Sequence, residues 1–295
     1  MKLKKINFAI LLLTLSLYAC SKNKELTFGK LNPADFKAAG SLHNKNLDKI
    51  FHVIIEYKAV KNQANNNKYS KGTNGSTTMR TPSEQEAFLN IAENETNLYI
   101  QTLDVNNNIN TQMIGLTTSV FDGVPLSSEE SLYNSTTASL LLPSQTSLLD
   151  EINVVLTDND ESISSCINRI NTVEAQVATL NLTEEQQAQM YTATNSAKSS
   201  LEYWYGNIDE WSSLLSNSQG ISSMSVNNNG TTIKVAKPFS WKKVAKGDVA
   251  GAVAGAAAWG GAWVFGGPAT WSAFGISVGG WAAGCSAYEA IQQLW

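Results

Sequence analysis

Chemistry in this chain would have to come from very few residues. The sequence of 295 residues holds two histidines, His43 and His52, and three cysteines, Cys20, Cys166 and Cys285. His43 falls on one helical face with Leu47, Ile50 and Ile54. That position predicts a core or capping residue whose loss costs on the order of 1 kcal/mol or less. His52 lies on the flank of the same face without a recognisable partner. Asp158-Asn159-Asp160-Glu161 has the acid density of a calcium loop but lacks the glycine and the spaced terminal glutamate of an EF-hand. It reads instead as the acidic cap of the helix that follows. The stretch from Asp104 to Asp122 offers too few carboxylates for a cation cage. There is no HExxH, CxxC or phosphate-binding loop, and no GxSxG or GxGxxG in a strand context. These residues imply no catalytic, cofactor or metal site. A net charge of -4 and a pI near 5.3 give no basic field for nucleic acid, while 43% hydrophobic residues can support a core.

The third cysteine has a different context. Met1-Lys2-Leu3-Lys4-Lys5 is a basic head, and Ile6 to Leu17 is apolar apart from Asn7, Thr14 and Ser16, too short a run to span a bilayer. It ends in Leu17-Tyr18-Ala19-Cys20. This pattern resembles the lipobox of bacterial lipoproteins, with Tyr18 where a small or aliphatic residue is usual. The resemblance implies cleavage before Cys20, its acylation, and attachment to a membrane. It divides the chain into a signal peptide at 1–19 and a tether at 20–31. Ser21 stands where lipoproteins retained at the inner membrane carry Asp, which implies the outer membrane if the cell has one. With Cys20 acylated, Cys166 and Cys285 remain. They read as two separately buried thiols, with a disulfide in an oxidising compartment as the alternative.

The elements that would position these residues are helical. Leu47, Ile50, Phe51, Ile54 and Ile55 predict a helix from about Ser41 to Lys58, followed by a mobile loop at 61–82 that has almost nothing to bury. Ser83 and Glu86 form a capping-box pair opening a second helix through Phe88, Ile91, Leu98 and Tyr99, closed by Asn106-Asn107-Asn108. Pro125 and Ser127 to Glu130 open a weak helical stretch. Pro143 precedes a helix with Leu148, Leu149, Ile152 and Leu156, and another carries Ile163, Cys166, Ile167, Ile170, Val173 and Val177. Thr183 and Gln186 make a second capping box for a long helix ending in Trp204, Trp211, Leu214 and Leu215. The fold class is therefore mostly α, a bundle of four to six helices over 32–218. At 219–248, weak alternation around Asn227-Asn228-Asn229-Gly230 predicts a short β-hairpin or linker, and Lys234, Lys237, Lys242, Lys243 and Lys246 interleave with Phe239 and Trp241. Such a basic-aromatic run suits an anionic bilayer surface or a solvated face.

The C-terminal residues 249–295 are the least ordinary. No charged residue occurs from Val249 to Tyr288, and Gly266-Gly267-Pro268 divides the stretch in two. Small residues recur at Gly251 and Gly255, Gly275 and Gly279, and Gly280 and Gly284, a spacing that lets helix backbones approach closely. A Gly/Ala-rich helical hairpin with a glycine-zipper interface is expected, either inserted in a membrane or packed on protein. A cationic aromatic lead before a glycine-zipper helix resembles class II bacteriocins over the last 60 or so residues. Asn32-Pro33-Ala34-Asp35-Phe36 and Leu42 to Asp48 resemble a pattern of uncharacterised exported bacterial proteins, which implies export and no particular mechanism. The reading is a lipid-anchored cell-envelope structural or interaction protein. It meets the membrane through Cys20 and through residues 249–288, or meets an envelope partner or a second copy through the hairpin. The alternative is a membrane-active, pore-forming protein that uses the hairpin.

Overall fold

The computed structural model describes residues 31–68, 82–103, 107–128, 130–158, 161–215, 239–259 and 268–295. Asn32 caps a 3-10 turn at Pro33–Phe36 by accepting the Ala34 N–H at 3.0 Å, with proline at the first position, where its missing N–H costs nothing. Nine α-helices follow among the described residues. They are α1 (Lys37–Lys68), α2 (Pro82–Gln101), α3 (Asn107–Phe121), α4 (Ser135–Ala138), α5 (Pro143–Thr157), α6 (Ile163–Val177), α7 (Glu184–Leu215), α8 (Trp241–Ala258) and α9 (Pro268–Leu294). No strand occurs among the described residues, and the expected β-hairpin around Asn227 lies outside them.

Several boundaries differ from expectation, each for a local reason. α1 runs to Lys68, through the first residues expected as loop, because its Lys58 ammonium reaches the Leu214 carbonyl and Lys61 pairs with Glu84 at 3.3 Å. α2 opens at Pro82, one residue ahead of the expected capping pair, and ends at Gln101. Asn107 and Asn108 begin α3 instead of closing α2. The described residues of 125–131 are not helical, and the next helix is the short α4, capped by Asn134. The capping box before α7 forms as read: Thr183 N–H donates to Gln186 Oε1 at 3.0 Å and Gln186 N–H to Thr183 Oγ1 at 3.3 Å. The cap of α6 is Ser162, while Glu161 before it binds Arg169 at 2.7 Å.

α1 and α7 lie side by side in the same direction. Pro33 faces Asn195, Asp48 accepts from Tyr203 at 3.0 Å, and Lys58 meets Leu214. α8 runs back along α7, with Trp241 near Tyr205 and Asp248 near Ser200. α9 lies in the middle. It packs on α1, α2, α3, α7 and α8, and Ser277 to Ala287 are all buried. A helix that is apolar all round must be covered on every side, by lipid or by protein. Here the cover is protein, and α8 and α9 pack within the same bundle as the preceding helices. Among the described residues no helix is long and apolar enough to cross a membrane.

Candidate functional site

The glycine-rich hairpin places one acid, Asp248, in the core. Its Oδ1 lies 3.1 Å from His43 Nε2, an ion-pair contact between fully buried side chains. Oδ2 accepts from Ser200 Oγ and, at 2.8 Å, from Ser286 Oγ. Ser286 Oγ in turn accepts the Trp204 indole N–H at 2.7 Å. Asn44 Oδ1 stands 2.8 Å from the other histidine nitrogen, Nδ1. Both ring nitrogens therefore face oxygens, which the imidazolium satisfies best. Burial by itself would push the imidazolium toward deprotonation. The Asp248 charge and hydrogen bond, with Asn44 adding, more than offset that, so His43 titrates above its ordinary 6.5.

Ser, His and Asp together invite comparison with a catalytic triad, and the geometry rejects it. In a triad the serine hydroxyl bonds the imidazole and the carboxylate orients the far side of the ring. Here both hydroxyls bond the carboxylate, His43 Nε2 is spent on the same group, and Ser200, Ser286, His43 and Asp248 have no exposed surface. The string Gly275-Ile276-Ser277-Val278-Gly279 has the letters of a nucleophile elbow, yet it lies inside α9 with Ser277 fully buried, not at a strand-to-helix turn. The network is a four-way tie joining α1, α7, α8 and α9. His43 is thus a core residue as read, but one set against a buried acid, and its loss would strand that carboxylate. The signal missed was Asp248 itself, the acid at the N-terminal border of an uncharged run.

The six glycines face different partners from those of a simple two-helix zipper. A Cβ at Gly251 would stand 3.1 Å from Cys285 Sγ, and one at Gly255 2.9 Å from Trp281 Cε3, so these two do seat α9 against α8. On α9 the glycines look away from the hairpin. A Cβ at Gly279 would overlap the Ala39 carbonyl of α1, at Gly280 the Tyr99 ring, and at Gly284 the Thr96 side chain of α2. Gly275 is looser, with Ala39 Cβ at 3.5 Å. Trp281 lies in mid-helix because it caps Gly255 and donates its indole N–H to Thr117 Oγ1 at 2.9 Å.

The basic-aromatic run is also displaced from its expected role. Trp241 to Asp248 belong to α8, and Lys242 and Lys246 are buried, with Lys242 reaching the Asp158 carbonyl and lying 5.3 Å over the Trp241 ring. Lys234 and Lys237 lie outside the described residues. Cys166 and Cys285 are separate buried free thiols. Burial pushes Cys285 well above its ordinary value, away from the thiolate that reactivity requires. His52 is exposed and bonds the Asp48 carbonyl at 2.7 Å. Among the described residues no group of three or more His, Cys, Asp or Glu could hold a metal ion. A cavity of about 160 Å³ lies between the end of α3 and the α8–α9 pair, lined by Gly123, Pro125, Gly247, Cys285 and Glu289 among others. Burial raises the Glu289 carboxyl above its ordinary 4.5, with Lys243 opposing and Asp248 reinforcing the shift. The cavity wall therefore offers neither a thiolate nor a strongly favoured carboxylate. Cys20 lies outside the described residues. No protein-family model matches the chain, and no curated protein or solved structure matches it.

Proposed function

We propose that this protein is a lipid-anchored structural or interaction protein of the bacterial cell envelope, held through an acylated Cys20 and working without a catalytic site of its own. The observation that carries the reading is the run Met1 to Cys20, with its basic head, short apolar stretch and Leu17-Tyr18-Ala19-Cys20 ending. In the core, the Ser200 and Ser286 hydroxyls and the His43 imidazole are all engaged with the Asp248 carboxylate, which fits a scaffold better than an enzyme. In the rival reading, a membrane-active protein acting through 249–288, α9 would have to leave the middle of the bundle and break the Asp248 tie. The burial of α8 and α9 counts against that reading and favours a hairpin that works as core.

Fatty-acid labelling tests the anchor. Cells fed an alkyne fatty acid should label the wild-type chain, and Cys20→Ser should abolish the label and shift the chain to the unprocessed form. A Cys20→Ser chain that labels like wild type would overturn the anchoring.

A further inference from the structure

The end of the bundle at which the described chain begins also carries two of its exposed leucines. Leu31 N–H donates to Gln187 Oε1 at 3.1 Å, on the first turn of α7. Next to it on the same helix, the Gln189 side chain accepts from Gln145 Nε2 at 2.9 Å, and Gln145 Oε1 accepts the Leu142 N–H at 3.0 Å. The turn Leu140-Leu141-Leu142 is thereby fixed close to the point where the N-terminal segment joins the fold. Backbone bonds from Leu140 N–H to Thr137 O at 3.0 Å and from Leu141 N–H to Ala138 O at 3.2 Å hold its shape. Leu141 packs on the core, whereas Leu140 is 60% and Leu142 40% exposed. No charged residue occurs between Glu130 and Asp150. A fixed, exposed, uncharged apolar tip fits an apolar partner.

The chain outside the described residues says which partner. Leu31 is eleven residue steps from Cys20, and covalent geometry limits that reach to about 40 Å. An acylated Cys20 keeps the bilayer within that distance of this end. α1, with 32 residues, carries the opposite end about 48 Å further away. We infer that the Leu140–Leu142 turn rests on the lipid bilayer that holds the acylated Cys20, with Leu140 and Leu142 entering its interfacial region and fixing the orientation of the bundle. This rests on the proposed anchoring. The charged residues at this end include Asp35, Lys37, Glu184 and Glu185, a slightly acidic set, so the contact is apolar and needs no anionic headgroup.

The test uses the full, lipidated chain reconstituted in phosphatidylcholine vesicles containing a spin-labelled lipid. In Leu140→Cys the new thiol is the accessible one, since acylation blocks Cys20 and Cys166 and Cys285 are buried. An environment-sensitive fluorophore there should be quenched several-fold more than the same fluorophore in Val60→Cys, a site 68% exposed toward the far end of α1. The difference should persist in about 1 M salt, where the Debye length falls to roughly 3 Å. Equal quenching at the two sites overturns the inference, whether the turn faces water, a second copy or a protein partner. So does quenching that salt abolishes. Fatty-acid labelling of the same preparation separates the two failures. Without label, the anchor and this orientation fall together; with label and equal quenching, the orientation alone falls.

Discussion

At the scale of single residues, the Asp248 tie makes stability depend on pH in a stated direction. His43 and Glu289 both have folded-state pKa values above their ordinary ones. A raised value means that the folded state binds the proton more tightly than the unfolded state. Stability is then fully present below the unfolded value and is lost as pH rises through the folded one. The windows open at 4.5 for Glu289 and at 6.5 for His43. Denaturant titrations at a series of pH values should therefore show stability declining from mildly acidic toward alkaline conditions. Glu289→Gln should flatten the lower part of that decline and His43→Gln the upper part; a stability that rises with pH through both windows would contradict the assignment. Asp248→Ala removes the acceptor for Ser200 and Ser286 and the partner of His43. Losing one partner of a buried ion pair costs about 3–5 kcal/mol. The cost inferred for His43 from its helical face alone was smaller, because periodicity carries no information about a charge 205 residues away.

At the scale of elements, the glycines of α9 make a sharper experiment than their common spacing suggests. Gly275 and Gly279 are one GxxxG pair on one helix, yet their surroundings differ. A Cβ at Gly279 would run into the Ala39 backbone carbonyl, which no side-chain rotation can clear, whereas at Gly275 it would meet Ala39 Cβ at ordinary contact distance. Gly279→Ala should destabilise the bundle by about 1–3 kcal/mol through overpacking. Gly275→Ala should be neutral or stabilising by up to about 1 kcal/mol, the helix-propensity gain of alanine over glycine. Equal melting shifts for the two variants would mean that α9 does not lie against α1 as described.

At the scale of the whole molecule, the hairpin cannot be removed without removing the core. α9 contributes Phe274, Val278, Trp281 and Ala282 to one buried cluster and Ala283, Ala287, Ala290 and Ile291 to the other. A chain ending at Asp248 should lose cooperative thermal unfolding and expose apolar surface that binds a hydrophobic dye. A truncated chain that melts cooperatively near the wild-type temperature would restore the picture of an independent bundle with a dispensable tail.

What was legible in the sequence is what short-range physics writes there. The helical periodicity of α5, α6 and α7, the Thr183–Gln186 capping box and the basic-apolar-cysteine run ending at Cys20 are all local patterns, and they fix the mostly α class and the expectation of export. The glycine spacing of 251–284 likewise announced close helix approach. It could not name the partner, because a smooth stripe fits lipid-borne, hairpin or bundle neighbours equally well. Only the tertiary structure decided that α9 is packed on α1, α2, α3, α7 and α8 at once, that His43 and Asp248 meet, and that Lys242 and Lys246 are buried. Each of these depends on contacts between residues far apart along the chain, and their energies come from desolvation and complementary shape, which exist only once the helices are assembled.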